Sequence, residues 1–163
     1  MRLVVDTGPL IALSKTGHLD LLPRLFDDIV IPAAVLAEIA KPGETRSGSE
    51  IQNRSWITAR GVARAARAEF QKSCDIAAGE AEAILIASEV PDSTVLLIDE
   101  RRARRVAIER GLHTLRTGAL LVAAARRNLV LPDDVRQALQ ILQHERYLDS
   151  RAAEDILHLL SNL

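Results

Sequence analysis

The apolar positions of this chain fall in short runs separated by longer amphipathic stretches, and two of the runs end on an aspartate. Leu3-Val4-Val5 stops at Asp6, and Val95-Leu96-Leu97-Ile98 stops at Asp99. An uninterrupted apolar run of this length suits a strand covered on both faces, as in a parallel sheet. A third run, Asp28-Ile29-Val30-Ile31, leads into Pro32, which suits the first turn of a helix reaching about Ala40. Trp56-Ile57-Thr58 and Leu112 to Leu115 are shorter extended candidates. Helical patterns lie between them: from about Leu10 after a Gly8-Pro9 turn, Val62 to Lys72, Gly79 to Val90, Asp99 to Arg110 closed by Gly111, and Thr117 to Arg127. Strands alternating with helices predict an α/β fold, three layers with helices on both sides of a central parallel sheet. Lys41 to Ser55, with Pro42, Gly43 and Gly48, is predicted as a long or mobile loop. Beyond Asp133 the pattern is purely helical. Asp133 or Asp134 caps a helix to about Gln143, and Ser150 caps a last one to Leu160, a C-terminal hairpin for the domain or for a subunit interface.

Length sets the scale of this pattern. The 163 residues, 48% of them apolar, predict one domain spanning 1–163 with a substantial core. The single cysteine, Cys74, excludes an internal disulfide and a thiolate metal cluster. The apolar stretch in MRLVVDTG is too short for a secretion signal, and no run approaches the roughly 18 residues that span a bilayer. A cytoplasmic chain without membrane association is the expectation.

Candidate chemistry lies at the strand ends. In an open parallel sheet, ligands gather beyond the carboxyl ends of the strands. Asp6 and Asp99 both follow strands, Glu80 lies in the first turn of its helix, and Glu38 lies on the helix after the second strand. Carboxylates gathered in this way repel, and sharing Mg²⁺ or Mn²⁺ relieves the repulsion. Glu80 and Glu82 are separated by a rotation of about 200° on a helix, so only one faces a compact site. The other is expected in solvent, against an arginine, or at the rim. Asp75 is a further acid in the preceding loop, expected to be a capping or solvated residue.

At this point the chain resembles the PIN-domain proteins, and within them the group described as predicted nucleic-acid-binding proteins related to toxin ribonucleases. The matching segments are VVDTGPLIALSKTG at 4–17, IPAAVLAEI at 31–39, GEAEAILIA at 79–87, VLLIDERRARRVAIERG at 95–111 and TGALLVAAARRNLV at 117–130, with the helices at 133–160 also similar. The resemblance implies a metal-dependent endoribonuclease whose acids fall on Asp6, Glu38, Glu80 and Asp99, with Thr7 as a hydroxyl donor. An offset of two would substitute Glu82 for Glu80. Many PIN nucleases carry another acid a few residues later, where this chain has Arg102 and Ala103; Glu100 is the nearest substitute. The resemblance further implies Mg²⁺ or Mn²⁺ as cofactor, RNA as substrate, a small antitoxin as partner and a homodimer. A catalytically weak, nucleic-acid-binding regulatory protein is the alternative.

Charge then locates the polymer. Twenty-one basic against twenty-two acidic residues give a net charge of −1, so attraction to nucleic acid must be local. Segment 101–127 supplies it with Arg101, Arg102, Arg104, Arg105 and Arg116 among eight arginines and one acid, Glu109. Only four aromatics, Phe26, Trp56, Phe70 and Tyr147, exclude a broad base-stacking platform. The four histidines are scattered and suggest no zinc site, and a single Asp-Thr-Gly copy in an alternating α/β chain excludes an aspartic protease.

Overall fold

The computed structural model describes residues 1–41 and 45–161, and of 45–47 the backbone alone. Five strands, β1 (Arg2–Val5), β2 (Asp28–Pro32), β3 (Ile57–Arg60), β4 (Thr94–Leu97) and β5 (His113–Leu115), form one sheet in the order β3-β2-β1-β4-β5. Every pairing is parallel, with Arg2 opposite both Asp28 and Thr94. The apolar runs form the sheet because both faces are covered. Leu3 and Val5 enter one core with Ile29, Ile31 and Leu97, while Val4 enters the other with Val30 and Leu96. The α/β/α expectation therefore holds.

Ten α-helices complete the described chain. Helices α1 (Thr7–Lys15), α2 (Leu21–Leu25), α3 (Ala33–Ile39) and α4 (Thr45–Gln52) precede β3, and α5 (Arg64–Cys74) and α6 (Ala78–Ala87) follow it. Helix α7 (Arg101–Glu109) links β4 to β5, and α8 (Thr117–Arg126), α9 (Pro132–His144) and α10 (Ser150–Ser161) end the chain. Residues of α5, α6 and α7 cover the Val4 face, and residues of α1, α8, α9 and α10 cover the Leu3 face.

Several local expectations change. The predicted loop at 41–55 contains α4, whose Ile51 is fully buried; Pro42 and Gly43 lie outside the described residues. Gly48 is not a loop signal there. A Cβ at Gly48 would collide with the backbone oxygen of Ile39, so the missing side chain lets α4 pack onto the end of α3. Helix α1 starts at Thr7 and takes Gly8 and Pro9 into its first turn, where an N–H has no helical partner to lose. Pro32 ends β2 instead of entering α3. Helix α2 was not anticipated, being five residues of LLPRL with a proline inside.

The terminal hairpin packs on the domain, with Ile156 of α10 seated on the backbone of Gly118 in the first turn of α8. Its caps sit earlier than expected. Asp134 accepts from the backbone N–H of Leu131 at 3.3 Å, and Asp149, not Ser150, accepts from that of Ala152 at 2.8 Å.

Candidate functional site

Strand order decides where a ligand crevice opens. From β1 the chain crosses to β2 on one side and the sheet continues through β4 on the other, so the switch point lies between the carboxyl ends of β1 and β4. Asp6 follows β1, and its N–H bonds the Leu97 carbonyl of β4 at 3.1 Å. Asp99 follows β4 by two residues, after Ile98 has donated to the Leu115 carbonyl of β5. The two aspartates thus flank the crevice although 93 positions separate them.

Helices α3 and α6 bring the glutamates. Thr7, the first residue of α1, donates its hydroxyl to Glu38 Oε2 at 2.8 Å, joining α1 to α3. Gly79 in the first turn of α6 lies against the same pair: a Cβ there would stand 3.4 Å from Glu38 Oε2, 3.5 Å from Thr7 Oγ1 and 3.0 Å from Val35. Glu80 follows directly and is half-buried, accepting from the Ala77 N–H at 2.8 Å. Asp99 receives two bonds from the start of α8, from Thr117 N–H at 2.9 Å and from Thr117 Oγ1 at 2.6 Å. Glu100 caps α7 by accepting from the Ala103 N–H at 2.7 Å.

Asp6 is the centre of the electrostatics. It is 5% exposed and stands at the N-cap of α1 without a side-chain capping bond. Burial pushes its carboxyl up to about 7; the Thr7 backbone N–H opposes this, and the charges of Glu80, Glu38 and Asp99 add to it. Burial also raises Glu80, against the Ala77 N–H and with the charges of Glu100 and Glu38. The sequence-predicted acids Asp6, Glu38, Glu80 and Asp99 therefore share one field, and Glu100 joins it through Glu80.

Sharing a field is not the same as forming a coordination shell. Among the described residues, no group of three or more His, Cys, Asp or Glu side chains is arranged to hold a metal ion. Glu38, Glu80, Asp99 and Glu100 each accept a hydrogen bond from a donor at the start of their own helix or of a neighbouring one. The donor set still suits a hard divalent cation, being all carboxylate and hydroxyl oxygen around a buried acid whose ionisation the fold disfavours.

Glu82 corrects an expectation. It is only 1% exposed, so it lies neither in solvent nor at a rim, and its partners are backbone groups instead of an arginine. One oxygen accepts from Ala34 N–H, an otherwise orphaned donor in the first turn of α3, and the other from Val62 N–H at 3.0 Å. The sequence held a signal for this: α6 is buried nearly all round, with Ala81, Ala83, Ile84 and Ile86 inside, and a carboxylate on such a helix must find internal donors. Thr117 and Gly79 were likewise not singled out, since one methyl-sized gap and one hydroxyl leave no periodic trace.

The arginines divide. Arg101, Arg105 and Arg116 are exposed, the first and last near the acid end. Arg102 is committed to an ion pair with Asp75, which ends α5 in a left-handed turn with φ 53°. Asp75 is thereby a loop residue paired to a base and not a member of the acid group. Arg104 is half-buried, with its Nε carrying no hydrogen bond.

A parallel five-stranded sheet with an acid-flanked switch point defines an α/β protein of the carboxylate-centred type. A PIN-domain family model matches residues 2–162, and the chain belongs to that family. Membership supports a nucleic-acid-associated role in general. No curated protein and no solved structure matches the chain. Among the described residues no helix is long and apolar enough to cross a membrane.

Proposed function

We propose that this protein is a divalent-metal-dependent endoribonuclease that hydrolyses RNA phosphodiester bonds at the crevice between β1 and β4. One observation carries the reading: a buried aspartate at the switch point, Asp6, lies in the combined field of Glu38, Glu80 and Asp99. Asp6, Glu80 and Asp99 would hold Mg²⁺ or Mn²⁺, with Glu38 as a fourth ligand or an orienting base. When bound, the cation supplies a Lewis acid that neutralises charge growing on the phosphoryl oxygens. Thr7 fixes Glu38 by its hydroxyl, Thr117 fixes Asp99, and Gly79 lets the two glutamate-bearing helices approach. Glu100 is the nearest substitute for the further acid that Arg102 and Ala103 replace, and Glu82 holds α3 and α6 together instead of binding metal.

Arg101, Arg105 and Arg116 are the proposed phosphate contacts, with Arg104 contributing charge and Arg102 balanced by its pair with Asp75. We further read the protein as a cytoplasmic toxin partnered by a small antitoxin and as a homodimer, for which exposed Leu131, Ile141 and Leu157 offer apolar surface. Purified protein with an end-labelled RNA panel tests the central claim. Cleavage with Mg²⁺ or Mn²⁺, lost with EDTA and in folded Asp6→Asn, Glu80→Gln and Asp99→Asn variants, is the expected result. The spacing of the carboxylates among local donors favours a second reading, an RNA-binding regulatory protein that cuts little. RNA binding without cleavage under either metal would select it.

A further inference from the structure

Beside the acid centre lies a cavity of about 190 Å³ between the start of α8, the α9–α10 connection and α10. Its walls share Asp99 and Thr117 with the crevice, so anything held at Asp99 has this cavity as its neighbour. Leu148, Leu159 and the Tyr147 ring give it apolar and aromatic sides, while Arg116 and Asp155 supply opposite charges. A volume below the roughly 300 Å³ at which drug-sized pockets begin suits one flat ring system.

We propose that this cavity is a nucleobase pocket selective for guanine. The identity of the ligand rests on the ribonuclease reading; the shape and charges of the pocket do not. A nucleotide is anionic at the phosphate and flat and amphipathic at the base, which matches Arg116 at one part of the wall and an aromatic and aliphatic lining elsewhere. Asp155 sets the choice of base. An ionised carboxylate only accepts hydrogen bonds, through two parallel oxygens. Guanine alone among the neutral bases presents two adjacent N–H donors, its ring N1 and exocyclic amino group, on one edge. Adenine, cytosine and uracil each place an acceptor beside their donor and would leave one carboxylate oxygen facing a lone pair. With the base seated here, Arg116 is the group on the wall that a phosphate would meet, and Asp99 lines the same cavity, so a guanine would sit beside the bond to be cut.

Calorimetric titration of GMP, AMP, CMP and UMP into the full chain, in EDTA, tests the pocket without requiring catalysis. GMP is expected to bind at least about tenfold more tightly than the other three, since only its edge matches both carboxylate oxygens. Asp155→Asn, an isosteric change at an exposed position, should bring GMP to within about threefold of AMP, and Ala152→Trp, which fills the cavity from α10, should remove binding of all four. Equal affinity for the four nucleotides overturns guanine selectivity. Absence of saturable GMP binding, or GMP binding unchanged in both variants, overturns the pocket. Mapping cleavage sites on a mixed RNA separates the two readings: GMP bound selectively by a protein that cuts no RNA removes the nuclease and keeps the pocket, whereas RNA cut by a protein that binds the four nucleotides equally or not at all removes the pocket and keeps the nuclease.

Discussion

Burial and three neighbouring carboxylates give Asp6 a proton affinity it lacks in the unfolded chain, with the pKa near 7 against an ordinary 3.8. A group that holds its proton more tightly when folded makes the fold gain stability as pH falls through the folded value and lose it as pH rises. Metal-free protein should therefore melt at a lower temperature at pH 8 than at pH 6, and Asp6→Asn should flatten that slope and stabilise the protein at pH 8 by about 1–3 kcal/mol. Thermal melts in EDTA at the two pH values, wild type against variant, measure this; identical slopes would remove Asp6 from the account. Glu82 makes the opposite case, since its carboxylate satisfies two backbone donors inside the protein. Glu82→Ala should cost about 3 kcal/mol in chemical denaturation by leaving both N–H groups unpaired, and Glu82→Gln, which keeps one acceptor, should cost less. These residues also mark what the sequence made legible. Asp6 and Asp99 were readable because a strand end is a local pattern with a topological meaning. Glu82 is misplaced because, although the apolar run of α6 signals its burial, its donors, Ala34 and Val62, are 48 and 20 positions away and are not signalled.

Elements were legible in proportion to how far their apolar pattern reached. The strands and the long helices appeared within a few residues of their places, because burial on both faces or on one stripe leaves a period in the chain. Helix α4 was read as a loop because Gly48 signals a turn locally, while its actual cause is the approach of Ile39 across the helix pair. Gly118 follows the same logic at the start of α8, where a Cβ would meet the Ile156 side chain. Gly118→Ala should destabilise the hairpin by about 1–3 kcal/mol, and Ile156→Ala in the same chain should recover part of that loss despite removing a core residue. A double-mutant cycle by urea denaturation reads the coupling; additive costs would mean that α10 does not rest on this glycine.

For the whole molecule, the proposed affinity for RNA has to arise on a chain with a formal charge of −1. With the proposed contacts at Arg101, Arg105 and Arg116, binding should depend steeply on salt, because each neutralised phosphate releases condensed cations. Replacing those three arginines with alanine should reduce the slope of log affinity against log salt by about 2, taking about 0.7 per phosphate on a single strand, without altering the melting temperature. Fluorescence anisotropy across a salt series would show it, and an unchanged slope would place the RNA elsewhere. Fold class was legible at this scale because alternating strand and helix patterns admit few architectures. The carboxylate spacing was not, because it depends on which backbone donors each acid meets after packing.

The central pairing of β1 with β4 has a consequence in time. Arg2 waits for Thr94, so the sheet cannot close during synthesis until more than half the chain has been made. Asp99 then lacks its anchor until Thr117 follows. A nascent chain stalled before that point carries Asp6, Glu38 and Glu80 with no crevice to hold them. On the proposed function, such a chain would cut no RNA, its own message included, until translation of that message is largely complete.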